Sequence, residues 1–146
     1  MQDEVTTGSR ILNASGKPCT ILLMVKRILI ADDSANMRSV IRALLANLAD
    51  VEICGEAGDG LDAVKQTIRL EPDLVLLDLS MPRMNGAEVA SVVKHNIPKV
   101  LIILFSMYSE NFGQSLKSAV GVDVVISKPD GMKQLFESVK GLLAAA

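Results

Sequence analysis

The chain has 146 residues, 49% of them apolar, with 15 Lys and Arg against 17 Asp and Glu for a net charge of −2. That length carries one domain with a substantial core, and the apolar content excludes disorder of the whole chain. The slight acidic excess and the scarcity of rings (three Phe, one Tyr, no Trp) provide neither the basic surface nor the stacking platform of a direct nucleic-acid binder.

Residues Met1 to Thr20 are polar, contain Gly8, Gly16 and Pro18, and show no period. They read as a loose arm. Gln2, Asp3 and Glu4 stand where a signal peptide would place positive charge, so the cytoplasm is the default location. Met24 leads directly into the first strand and can serve as a start. Residues 1–23 are then an upstream extension, or else a flexible native tail, ahead of a domain at residues 24–146.

From there apolar runs of strand length alternate with segments of helical period. Arg27 to Ala31 is a buried-type strand. Met37, Val40, Ile41, Leu44, Leu45 and Leu48 recur at steps of three and four, as on an amphipathic helix. Val51 to Ala57 is a second strand, and Leu61, Val64 and Ile68 mark a second helix. Leu74 to Leu77 follows as a third strand after Glu71-Pro72, a pair that stops helices. Ala87 to Lys94 reads as a third helix. Val100 to Phe105 is the longest unbroken apolar run, too short to cross a bilayer and apolar enough to be the central strand. Phe112, Leu116 and Ala119 mark a fourth helix, Val122 to Ile126 a fifth strand, and Met132 to Leu143 the last helix.

Strands that are apolar throughout, each followed by a helix, belong to a parallel sheet covered on both faces: an α/β, doubly wound fold. Such sheets bind ligands beyond the carboxyl ends of their strands. Asp32 and Asp33 follow the first strand, Asp78 the third, Ser106 the fourth and Lys128 the fifth. Any one Asp there can be a helix cap. Three together repel strongly and call for a cation, and oxygen ligands with room for water suit Mg²⁺ better than zinc. Cys19 and Cys54 make neither a disulfide framework nor a zinc site, and Cys54 reads as a small buried hydrophobe. His95 has no neighbouring partner for base or ligand work. Gly55, Gly58 and Gly60 have the wrong spacing for a dinucleotide fingerprint, and no Walker loop or nucleophile elbow is present.

Four segments together, Ile30-Ala31-Asp32-Asp33-Ser34, Asp78-Leu79-Ser80-Met81-Pro82-Arg83-Met84-Asn85-Gly86, Phe105-Ser106-Met107 and Ser127-Lys128-Pro129, closely resemble the response-regulator receiver domain of two-component signalling. The resemblance spans about Lys26 to Leu143. It implies a flavodoxin-like five-stranded sheet of order 2-1-3-4-5. Asp78 would be the phosphoacceptor. Asp33, Asp78 and the Ser80 carbonyl would hold Mg²⁺, with Asp32 ligating directly or through water. Lys128 and Ser106 would each contact a phosphoryl oxygen, and Pro129 stands where the family favours a cis peptide. A histidine kinase or phosphotransfer protein would supply the phosphoryl group, and a downstream protein would read it. Glu56-Ala57-Gly58-Asp59-Gly60 further resembles receivers that precede helix-turn-helix domains, although the chain stops soon after Leu143 and is expected to act as a stand-alone receiver. The last helix and the fifth strand border a face through which receivers pair, so a homodimer is a further expectation.

Two positions depart from the family's pattern. Val125 stands where an aromatic ring usually switches, and Met107 stands where Ala or Gly is common. Tyr108, the one tyrosine, is the substitute switch residue. Two other functions compete. A degenerate receiver would act only as a binding module, which the intact Asp, Ser and Lys set argues against. An Mg²⁺-dependent aspartyl-phosphate phosphohydrolase needs a second Asp two residues past the nucleophile, where this chain has Ser80.

Overall fold

The computed structural model describes residues 25–106, 121–127 and 131–145. The chain runs β1 (Lys26–Ala31), α1 (Ala35–Leu45), β2 (Val51–Ala57), α2 (Gly60–Leu70), β3 (Leu74–Asp78), α3 (Gly86–Asn96), β4 (Leu101–Ser106), β5 (Val124–Ser127) and α4 (Gly131–Ala145). The helix expected around Phe112, Leu116 and Ala119 lies outside the described residues. All strand pairs are parallel and the order is β2-β1-β3-β4-β5. The middle strand is therefore β3, and the more apolar β4, expected at the centre, lies between it and the β5 edge. Apolarity did not separate them because both β3 and β4 are interior strands covered on both faces.

Alternate residues of the interior strands enter opposite layers, which is why β3 and β4 do not alternate with polar positions as the β2 edge does at Glu52. Leu29, Val75, Leu77, Ile102 and Leu104 pack with Val89, Ala90 and Val93 of α3 and Ala63 of α2. Ile28, Ile30, Leu74, Leu76, Ile103 and Phe105 pack on the other side with Ile41 and Leu45 of α1 and Leu135 and Val139 of α4. Two polar staples close the end of the sheet away from the strand carboxyl ends. Arg27 donates from Nη1 to the Leu70 carbonyl at 2.5 Å, and its backbone N–H donates to Asp73 Oδ2 at 2.8 Å. Asp123 Oδ2 accepts from the Ile102 N–H at 2.8 Å and from Lys94 at 3.2 Å.

The helices start where local chemistry satisfies their free N–H groups. Ser34 caps α1 by accepting from Met37 N, and Asp59 caps α2 by accepting from Asp62 N. Asn85 and Glu88 form a reciprocal capping box on α3. All three caps lie on the side of the sheet where the strands end, so the loops carrying Asp32, Asp33 and Asp78 are held by helix starts.

Candidate functional site

The strand order reverses between β1 and β3, whose carboxyl ends carry Asp32 and Asp78. A crevice opens at such a switch point. Asp32 and Asp78 are 2% and 5% exposed, while Asp33 lies open to solvent. One carboxylate oxygen from each of the three lies within 4.8 Å of the others. The backbone around them donates inward: Ser34 N–H reaches Asp32 Oδ1 at 2.8 Å, and Ser80 N–H reaches Asp78 Oδ1 at 3.3 Å. The amino end of α1 begins just beyond Asp33, and its dipole favours negative charge there.

The turn after Asp78 is built by close approach. Gly86 N–H donates to the Leu79 carbonyl at 2.8 Å. A β-carbon on Gly86 would lie 2.5 Å from the Asp78 carbonyl oxygen and 2.9 Å from Leu79 Cα, so only glycine admits this return. Within the turn Arg83 takes φ +72°, and Pro82 O accepts from Met84 N at 2.8 Å and from Gly60 N at 3.2 Å. The first bond spans three residues, as in a γ-turn, and the second ties the turn to the start of α2. Arg83 Nε stands 3.6 Å from Asp59 Oδ2 across the same junction.

A second charged group borders the pocket. Glu56, near the end of β2, accepts from Arg38 Nε at 3.0 Å and from Arg42 Nε at 2.8 Å, with Arg42 Nη2 also bonded to it. The Arg42 hydrogen bond holds the Glu56 carboxyl below its usual range. Partial burial works against it, and Arg38 adds to the lowering. Arg38 Nη1 also donates to the Asp32 carbonyl at 2.5 Å. Neither arginine was marked by the sequence as part of the site. A cation one turn after the helix cap is common on any exposed helix, and its partner lies on another element.

Of the residues expected from sequence, Asp32, Asp33 and Asp78 meet, and Ser80 follows on the exposed loop. Ser106 ends β4, one residue past Phe105, the register partner of Asp78, and pairs with Ser127. Val125 is partly buried against the layer formed with α2 and α3. The Ser106 side chain and residues Met107, Tyr108, Lys128 and Pro129 lie outside the described residues. As a donor set, three carboxylates within such a span supply the hard oxygens that Mg²⁺ takes, so the residues present fit that ion.

A doubly wound sheet of this order, with an acidic pocket at its switch point, is the flavodoxin-like, CheY-like receiver fold. The sequence model of the response regulator receiver domain matches residues 28–140, and the chain belongs to that family. The response regulator domain of Thermotoga maritima CheB superposes with a TM-score of 0.74 at 30% identity, covering 84% of this chain and 96% of that one. A protein-glutamate methylesterase/protein-glutamine glutaminase of Pyrococcus horikoshii is 33% identical over 119 residues, 77% of this chain. The response regulator protein VraR of Staphylococcus aureus is 29% identical over 117 residues, 80% of this chain. The chain spans 32% of the former and 56% of the latter. Among the described residues no helix is long and apolar enough to cross a membrane.

Proposed function

We propose that this receiver domain is a cytoplasmic phosphoacceptor: it takes a phosphoryl group from a histidine kinase or phosphotransfer protein onto Asp78 and signals by a phosphorylation-dependent protein contact. The observation that carries this reading is the meeting of Asp32, Asp33 and Asp78 at the switch point of the sheet. A carboxylate oxygen of Asp78 attacks phosphorus and forms a P–O bond. The P–N bond to the kinase imidazole breaks, and its electron pair leaves on the ring nitrogen. Asp33, Asp78 and the Ser80 carbonyl would hold Mg²⁺, with Asp32 acting directly or through a water. When bound, the ion offsets the charge between the acidic pocket and the incoming phosphoryl oxygens. Lys128 pairs with one of those oxygens and the Ser106 hydroxyl with another. The family resemblance supports these last two roles.

Incubation with acetyl phosphate and Mg²⁺ tests the assignment. Mass spectrometry should find one hydroxylamine-labile adduct on Asp78 and none on Asp78→Asn. Labelling of that variant at the wild-type level would refute it.

The readout departs from the family's usual one. Val125 is short and β-branched, and it packs against the apolar layer, so it cannot fill space as a rotating ring does. We assign the switch to Ser106 and the segment after β4, with Tyr108 as the reporting side chain. Tyr108→Ala should impair partner binding of the phosphorylated form, and Val125→Ala should do so only weakly. With beryllofluoride as phosphoryl mimic, amide shifts should concentrate at residues 107–109. Shifts confined to Val125 would show the opposite.

A further inference from the structure

Arg38 sits one turn into α1, where its backbone N–H bonds the Ser34 carbonyl, and its side chain reaches back past the start of its own helix. Nη1 holds the Asp32 carbonyl at 2.5 Å and Nε holds Glu56 Oε1 at 3.0 Å. That side chain is 20% exposed. The Asp32 carbonyl shares a peptide unit with the Asp33 nitrogen. Fixing this carbonyl fixes the plane between two adjacent acidic residues, and with it the direction in which Asp33 leaves the backbone. Asp32 is held besides through its N–H to the Ala57 carbonyl at 3.0 Å and through Oδ1 by Ser34 N. The Arg38 bond therefore adds a hold on the carbonyl to a residue already held at its backbone N–H and its carboxylate.

We propose that Arg38 is a positioning residue for the acidic pocket, setting the Asp32–Asp33 peptide for cation binding while Glu56 anchors its guanidinium. The inference rests on the reading of the pocket as an Mg²⁺ site. Charge and position make opposite demands here, which makes the proposal testable. By Coulomb's law alone, removing a cation beside the pocket tightens Mg²⁺ binding or leaves it unchanged. Glu56 already offsets the Arg38 charge at contact distance, so that gain is small. Releasing the peptide weakens binding. Lysine keeps the charge but has no planar fork, and it cannot hold the carbonyl and Glu56 in the same geometry.

The experiment is Mg²⁺ titration of the full chain, followed by the amide shifts of Ser34 and Ser80, for wild type, Arg38→Ala and Arg38→Lys. Arg38→Ala should bind about tenfold more weakly, the scale on which partners of metal ligands act. Arg38→Lys, which preserves charge and helix propensity, should recover only part of that loss. Unchanged or tighter binding by Arg38→Ala, or full recovery by Arg38→Lys, overturns the proposal. Wild-type protein that shows no Mg²⁺ titration overturns the metal reading and this inference with it. Equal binding by all three overturns the inference alone.

Discussion

Glu56 accepts hydrogen bonds from two arginines of one helix, and its carboxyl is held below the usual range chiefly by Arg42. A depressed carboxyl stabilises the fold fully above the unfolded-state value, and that contribution is lost as pH falls through the lower, folded-state value. Wild type should therefore exceed Glu56→Gln in urea midpoint at pH 7, and the difference should shrink as the pH is taken below the carboxylate range. A pH-independent difference would mean that packing of the side chain, rather than its charge, is what matters. At this scale the acidic trio was legible because each Asp stands at or just past the carboxyl end of a strand, and the parallel fold gathers strand ends on one rim. The Arg38–Glu56–Arg42 group was not. Arg38 and Glu56 come together only once α1 lies along the β2 edge, and no local pattern announces that pairing.

Among the described residues, element bounds were legible to within two residues except at the end of α1, where the apolar period runs on to Leu48 past the last helical residue, Leu45. The inward face of a helix was less so. Leu61, Val64 and Ile68 mark α2 correctly as a helix, yet Leu61 and Ile68 are 40% and 45% exposed. The line turned inward is Gly60, Ala63 and Thr67, with the Thr67 hydroxyl donating to the Ala63 carbonyl at 2.7 Å. Small residues let α2 approach the sheet closely, and a β-carbon on Gly60 would collide with the Met84 backbone. Hydropathy picks the largest apolar side chains, but close packing here selects the smallest. Ile68→Lys should accordingly change stability by no more than about 0.5 kcal/mol. Ile41→Ala, at a position 2% exposed on α1, should cost about 2–5 kcal/mol. Chemical denaturation of the two variants checks the ordering, and a large loss in Ile68→Lys would show that something covers α2 in solution.

For the whole molecule, the receiver family match begins at residue 28 and β1 at Lys26, one residue after the described chain begins. We propose that residues 1–23 are dispensable for folding and phosphorylation, since they carry no period that could bury a face. A chain starting at Met24 should match the full chain in melting temperature and in labelling at Asp78. A clear drop in melting temperature would show that the apolar stretch from Ile21 to Val25 extends the first strand. The α/β class was legible from the repeated strand and helix pattern. The order 2-1-3-4-5, with β3 at the centre, followed from the family resemblance and is the order observed. Apolarity alone pointed to β4, because strand order depends on how crossovers wind and not on which strand is most apolar.

The sheet also acts as a partition. Ile41, Leu45 and Val139 fill one layer, and Val89, Val93 and Leu104 fill the other. A cavity opened in one layer is walled off from the other by hydrogen-bonded backbone, which yields far less than side chains do. Losses from Leu45→Ala and Val93→Ala should then simply add, while paired changes within a layer interact. Over many generations each layer can exchange side-chain volume among its own members without compensation across the sheet. Two interiors of one small protein would then drift as separate lineages, joined only by the strands between them.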